Sequence, residues 1–100
     1  MDLEVIFHPK AEREYLDACN WYEARTPGLG QRFKRSVLNQ IDKIVRSPDL
    51  YPSKERGYRE SNTEIFPYLI VYKIGKKRDT LNIVAIYHTS RNPAKKYRKS

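Results

Sequence analysis

Two histidines, one cysteine and an uneven set of cations are the side chains with which this 100-residue chain could do chemistry. His88 is the one set among useful neighbours. It closes an apolar run that starts at Leu81 and is followed by Arg91, Lys95, Lys96 and Tyr97. Cleaving RNA without a metal requires a base for the 2′-hydroxyl, cations for the phosphorane charge and an acid for the leaving oxygen. His, Arg or Lys, and Tyr or Glu can fill those roles. A strand-end position would also bring His88 near Arg59 if their strands lie close in one sheet. The plain alternative is a strand-end histidine bonded to a neighbouring loop. Cys19 shares an apolar stripe with Tyr15 and Tyr22, so it reads as a packing thiol and not a nucleophile. His8, beside Pro9, reads as a capping or surface residue. One cysteine and two histidines make neither an internal disulfide nor a structural zinc site. With no glycine-rich phosphate loop and no nucleophile elbow, no metal or cofactor is expected.

The cations are segregated along the chain. Residues 1–50 hold eight basic and eight acidic side chains, whereas residues 51–100 hold twelve and four, the whole of the net +8. A neutral half joined to a cationic half suggests a scaffold bearing a surface for a polyanion or an acidic protein. Lys54, Arg56, Lys95, Lys96, Arg98 and Lys99 are the candidate binding cations. Tyr51, Tyr58 and Tyr97 lie among basic residues, where aromatic rings could stack nucleobases. The length fits one domain, residues 1–100, with 94–100 a basic helical or flexible tail. No apolar run approaches the ~20 residues of a membrane helix, and the acids near Met1 do not suit a signal peptide, so a cytoplasmic protein is expected.

The elements that must position these residues follow from periodicity. Leu3, Val5 and Phe7 alternate with polar neighbours as in a short half-buried strand. Pro9 suits the first position of a helix, and Glu12, Glu14 and Asp17 oppose its N-terminal dipole. Ala11, Tyr15, Ala18, Cys19 and Tyr22 form one helical stripe. Phe33, Val37, Ile41, Ile44 and Val45 form a second, after a Pro27-Gly28 turn and before Ser47-Pro48. Residues 48–57 are a loop, and a brief strand is expected around Tyr58-Arg59-Glu60. Residues 65–74 are rich in β-branched and aromatic types, as in a central strand. Gly75 to Asp79 form a charged turn before the strand Leu81–His88. The predicted fold is α+β: an N-terminal strand, an α-helical hairpin, then a three-strand antiparallel run completing one sheet. The helices cover one face, leaving the other face, with the cationic half, partly open.

The ordered set of segments resembles the RelE/ParE superfamily of type II toxin–antitoxin (plasmid stabilisation) toxins. The matching pieces are Phe7-His8-Pro9-Lys10-Ala11, Trp21-Tyr22-Glu23, Pro27-Gly28-Leu29-Gly30, Ile44 to Pro48, Arg59-Glu60, Phe66 to Tyr72, and Tyr87 to Pro93. The resemblance implies a growth-inhibiting toxin held in check by a cognate acidic antitoxin. Two targets follow from it. RelE-like members act as ribosome-dependent mRNA endonucleases, which would give Arg59, His88, Arg91 and Tyr97 the catalytic roles. ParE-like members keep the fold without that set and inhibit DNA gyrase; an inactive basic binding module is the remaining alternative. The lysine cluster of the first kind is reduced here to Lys54 and Arg56, with Glu55 between them.

Overall fold

A computed structural model describes residues 3–90. The elements are β1 (Glu4–Phe7), α1 (Pro9–Arg25), α2 (Leu29–Arg46), β2 (Arg59–Asn62), β3 (Tyr68–Ile74) and β4 (Thr80–His88), with a single 3-10 turn at Glu55–Gly57. The order is the expected one. The sheet runs β1-β4-β3-β2. It is mixed, because β1 pairs parallel with β4, and β2, β3 and β4 pair antiparallel. The helical hairpin supplies the long crossover that a parallel neighbour needs, and the antiparallel run then returns β4 to the side of β1.

The helical hairpin is set by local chemistry. Pro9 occupies the first turn of α1, where its missing N–H costs nothing. Gly28 turns the chain at φ +88°, a conformation suited to glycine. The α2 N-terminus is then capped from α1. The Glu23 carboxylate accepts from the Gly28 N–H at 2.9 Å and the Gly30 N–H at 3.0 Å. An anion placed on these otherwise unsatisfied donors also opposes the helix dipole. Gly30 is buried against α1, where a Cβ would lie 2.6 Å from the Cys19 carbonyl oxygen. Thus Glu23, Gly28 and Gly30 form one joint.

The core lies between the helices and one sheet face. Phe33, Val37, Ile41 and Ile44 of α2 pack with Ile70, Tyr72, Leu81, Ile83 and Ile86 of the sheet. Phe33 is ringed by aromatics, with Tyr68, Tyr22 and Phe66 centroids 5.0, 5.2 and 5.2 Å away. One polar group enters this layer. Gln40 of α2 donates from Nε2 to Ser61 Oγ at 2.6 Å and to the Tyr51 hydroxyl at 3.1 Å.

Four expectations change. β1 is an edge strand with little cover: Val5 and Ile6 are exposed, and only its flanks, Leu3 and Phe7, reach the core. β2 extends to Asn62, and β3 begins at Tyr68 and not at residue 65, because Pro67 cannot donate to a ladder and Ile65 sits at φ +74°. Tyr58 is buried, and Tyr51 is half-buried and bonded to Gln40, so neither ring is presented for base stacking. The second sheet face is not an open cationic surface. Tyr58, Val71, Val84, Ala85 and Tyr87 form a separate buried cluster there. A β-bulge between Val71 and Tyr72 shifts the register, so that Val84 and Ala85 both join that cluster.

Candidate functional site

His88 is half-buried at the end of β4, opposite Tyr68, whose ring stands edge-on to the imidazole at 5.1 Å. The Ser90 N–H donates to His88 Nδ1 at 3.1 Å, and Ser90 Oγ lies 2.7 Å from the same nitrogen. A backbone donor on Nδ1 leaves the neutral ring's proton on Nε2. In this arrangement Nδ1 is engaged by Ser90, two residues on in the chain. His88 also borders a groove of about 740 Å³ between α1 and the end of the sheet, shared with Lys10, Arg13, Trp21 and Tyr68. That groove lies beyond the end of β1, whose pairing with β4 stops at Ile83. The Glu14 carboxylate reaches β4 there, accepting from the Ile86 N–H at 3.1 Å.

Arg59 is at the opposite end of the sheet. It pairs with Tyr72, four residues along β3 from the Tyr68 that faces His88. At ~3.3 Å per residue and ~4.8 Å per strand, the two backbones are roughly 16 Å apart. The Arg59 guanidinium donates to the Tyr51 and Asp49 carbonyl oxygens, and the Asp49 carboxylate lies 3.5 Å away. The Tyr72 hydroxyl donates to the Pro48 carbonyl oxygen at 2.8 Å. Burial pushes the Tyr72 phenol up to about 12, with the Arg59 charge pulling the other way. Arg59 and Tyr72 together fasten the 48–53 loop to the sheet. The juxtaposition of Arg59 with His88 is therefore not formed.

Lys54 and Arg56 are exposed on the loop before β2, Arg56 at φ +59°. Arg91, Lys95, Lys96, Tyr97, Arg98 and Lys99 lie outside the described residues. Cys19 is half-buried on α1, its thiol pushed up by burial, which matches a packing role. Among the described residues no group of three His, Cys, Asp or Glu side chains gathers as a metal site requires, and no helix is long and apolar enough to cross a membrane.

Charge counted by element reveals what halves of the chain conceal. α1 carries Lys10, Arg13 and Arg25 against Glu12, Glu14, Asp17 and Glu23, whereas α2 carries Arg32, Lys34, Arg35, Lys43 and Arg46 against Asp42 alone. The basic ridge of α2 was hidden because its excess cancels against the acids of α1, the N-terminus and Asp49. Counting charge helix by helix would have exposed it.

A helical hairpin laid over a four-stranded mixed sheet is the architecture of solved toxin–antitoxin toxins. The solved chromosomal ParDE system from P. aeruginosa superposes with a TM-score of 0.75, at 14% identity over 88% of this chain and 97% of that one. The intact E. coli RelBE complex gives 0.65, at 15% identity over 89% and 99%. The RelBE2 complex from Mycobacterium tuberculosis gives 0.61, at 17% identity over 88% and 99%. At such identities the likeness is one of fold. No curated protein matches. The sequence itself is more specific, since residues 5–93 match the family described as the ParE toxin of the type II toxin–antitoxin system parDE. The chain belongs to the ParE toxin family.

Proposed function

We propose that this protein is the growth-inhibiting toxin of a parDE-type module, that it acts in the cytoplasm by binding DNA gyrase without cleaving RNA, and that a cognate acidic antitoxin neutralises it. The observation carrying this reading is the separation of Arg59 from His88 by roughly 16 Å of sheet. A metal-independent ribonuclease must gather base, acid and cation around one phosphate. Here Arg59 is committed to a loop at one end and the imidazole is bonded to Ser90 at the other. A binding toxin needs only a folded surface, which the rigid hairpin and sheet supply.

Induced expression followed by parallel measurements of translation and plasmid supercoiling tests the proposal. The expected result is impaired supercoiling with gyrase co-purifying and translation initially unaffected. His88→Ala should then retain toxicity. Cleavage of mRNA in the ribosomal A site that disappears in His88→Ala and Arg91→Ala would overturn the binding mechanism in favour of the endonuclease.

A further inference from the structure

The chain between β2 and β3 makes an unusual excursion. The Phe66 N–H donates to the Glu64 carbonyl at 2.8 Å, closing a three-residue turn with Ile65 at its centre at φ +74°. A γ-turn of that hand is rare and strained, and a β-branched residue is among the worst suited to it. A second such bond follows, from the Tyr68 N–H to the Phe66 carbonyl at 2.8 Å. Phe66 turns into the core, but Ile65 itself gains no burial: it is 81% exposed, the highest among the large exposed apolar residues.

The turn is nevertheless firmly held. Ser36 Oγ donates to the Glu64 carbonyl at 2.7 Å, and Lys43 Nζ meets Glu64 Oε1 at 2.9 Å. Thr63 Oγ1 donates to the Phe66 carbonyl at 2.9 Å from the inner side. α2 thus clamps the turn from two positions and leaves Ile65 projecting. Beside it runs a groove of about 340 Å³ bordered by Arg32, Arg35 and Arg46. Arg46 is paired with Asp42 at 2.7 Å, whereas Arg32 and Arg35 have no ion-pair partner among the described residues.

We infer that the ridge formed by Arg32, Arg35 and the projecting Ile65 is a docking surface for an acidic, amphipathic segment of the antitoxin. This rests on the toxin reading above. The argument is complementarity of two kinds at once. Unpaired guanidinium groups want carboxylates, and a rigidly displayed aliphatic side chain wants an apolar pocket or helix face. An acidic amphipathic segment supplies both. A nucleic acid would satisfy the arginines and leave Ile65 in water. A strained residue whose own side chain is displayed at the surface and takes no part in the core is the pattern of a position held for contact.

The test uses the purified wild-type toxin, the double variant Arg32→Glu/Arg35→Glu and the single variant Ile65→Gly, each titrated with the full-length antitoxin encoded beside the toxin. Glycine relieves the positive φ, so Ile65→Gly should unfold at the same temperature or higher, yet bind at least ~10-fold more weakly. The double variant should also bind more weakly and show a flatter dependence on salt. A purely structural Ile65 would instead give a lower melting temperature with unchanged binding, and that result overturns the inference. Wild-type affinity in both variants overturns it as well. Loss of binding to a duplex DNA fragment with antitoxin affinity unchanged does so too, by assigning the ridge to a polyanion. If the wild-type chain neither binds the neighbouring protein nor arrests growth, the toxin reading itself fails and the docking surface falls with it.

Discussion

The two helices of the hairpin have similar lengths and opposite characters. α1 buries only Ala11 and Ala18, carries more acids than bases and leaves Leu16 and Trp21 in solvent. α2 buries Gly30, Phe33, Val37, Gln40, Ile41 and Ile44, and carries its cations on the outer side. Amphipathicity explains the division. α2 has a continuous apolar stripe and can be anchored to the sheet while offering the other side to a partner. α1 meets the core through small or half-buried residues, caps α2 through Glu23 and bonds the Ile86 amide of β4 through Glu14. Both helices thus sit on the sheet, α2 through large buried side chains and α1 through small and half-buried ones.

The largest expected difference comes from truncating each helix once. Phe33→Ala should cost about 3–5 kcal/mol, because it empties the centre of the aromatic cluster. Leu16→Ala on α1 should stay within about 0.5 kcal/mol, as its side chain is 50% exposed. Urea denaturation of both variants checks this, and comparable losses would break the division of labour. The joint comes next. Gly30→Ala places a methyl 2.6 Å from the Cys19 carbonyl and 2.9 Å from Glu23 Cβ. Backbone cannot retreat cheaply, so a loss of about 1–3 kcal/mol is expected. Glu23→Ala should cost about 0.5–2 kcal/mol by uncapping α2, without altering its packed face.

α1 does hold one buried titratable group of consequence. The Tyr15 hydroxyl is buried beside the Cys19 thiol, and burial pushes its pKa up to about 12 from 10.0. A folded-state value above the unfolded one means the folded chain holds its proton longer. Stability is therefore complete below about pH 10 and is lost as pH rises from there towards 12. Tyr15→Phe should change neutral stability by less than about 1 kcal/mol and make that alkaline loss shallower. It should not abolish the loss, since Tyr72 titrates in the same range.

Element order was legible because it rests on periodicities and breakers: Pro9, the Pro27-Gly28 turn, Pro48 and the apolar run of β3 each act locally. The site was less so. Whether His88 meets Arg59 depends on strand register, which is set by the hairpin turn at Gly75–Asp79 and by a bulge that no local pattern announces. Residues 65–67 look like strand by composition, yet a proline without a donor and two γ-turns break the ladder there and leave Ile65 exposed. The basic ridge was missed for another reason: charge was summed over sequence halves, whereas a surface is a property of an element's face.

The smallest expected effect concerns what fastens that ridge to its turn. The hydrogen bond and charge of Lys43 hold the Glu64 carboxyl below the ordinary carboxylate value of 4.5, and Glu64 holds Lys43 above 10.5. The contribution of Glu64 is thus complete above about pH 4.5 and lost as pH falls through its lower folded value. That of Lys43 is complete below about 10.5 and lost as pH rises through its higher folded value. Both partners are solvent-exposed, so global unfolding should hardly register either limb. The Ile65 and Phe66 amides should register the acid one, by shifting or exchanging faster as pH drops below about 4.5 while amides in the centre of α2 stay fixed. Lys43→Met should give that loosened turn already at neutral pH. An unchanged turn in Lys43→Met would mean that Ser36 and Thr63 hold Ile65 in place by themselves, leaving α2 as the anchor and the ion pair as ornament.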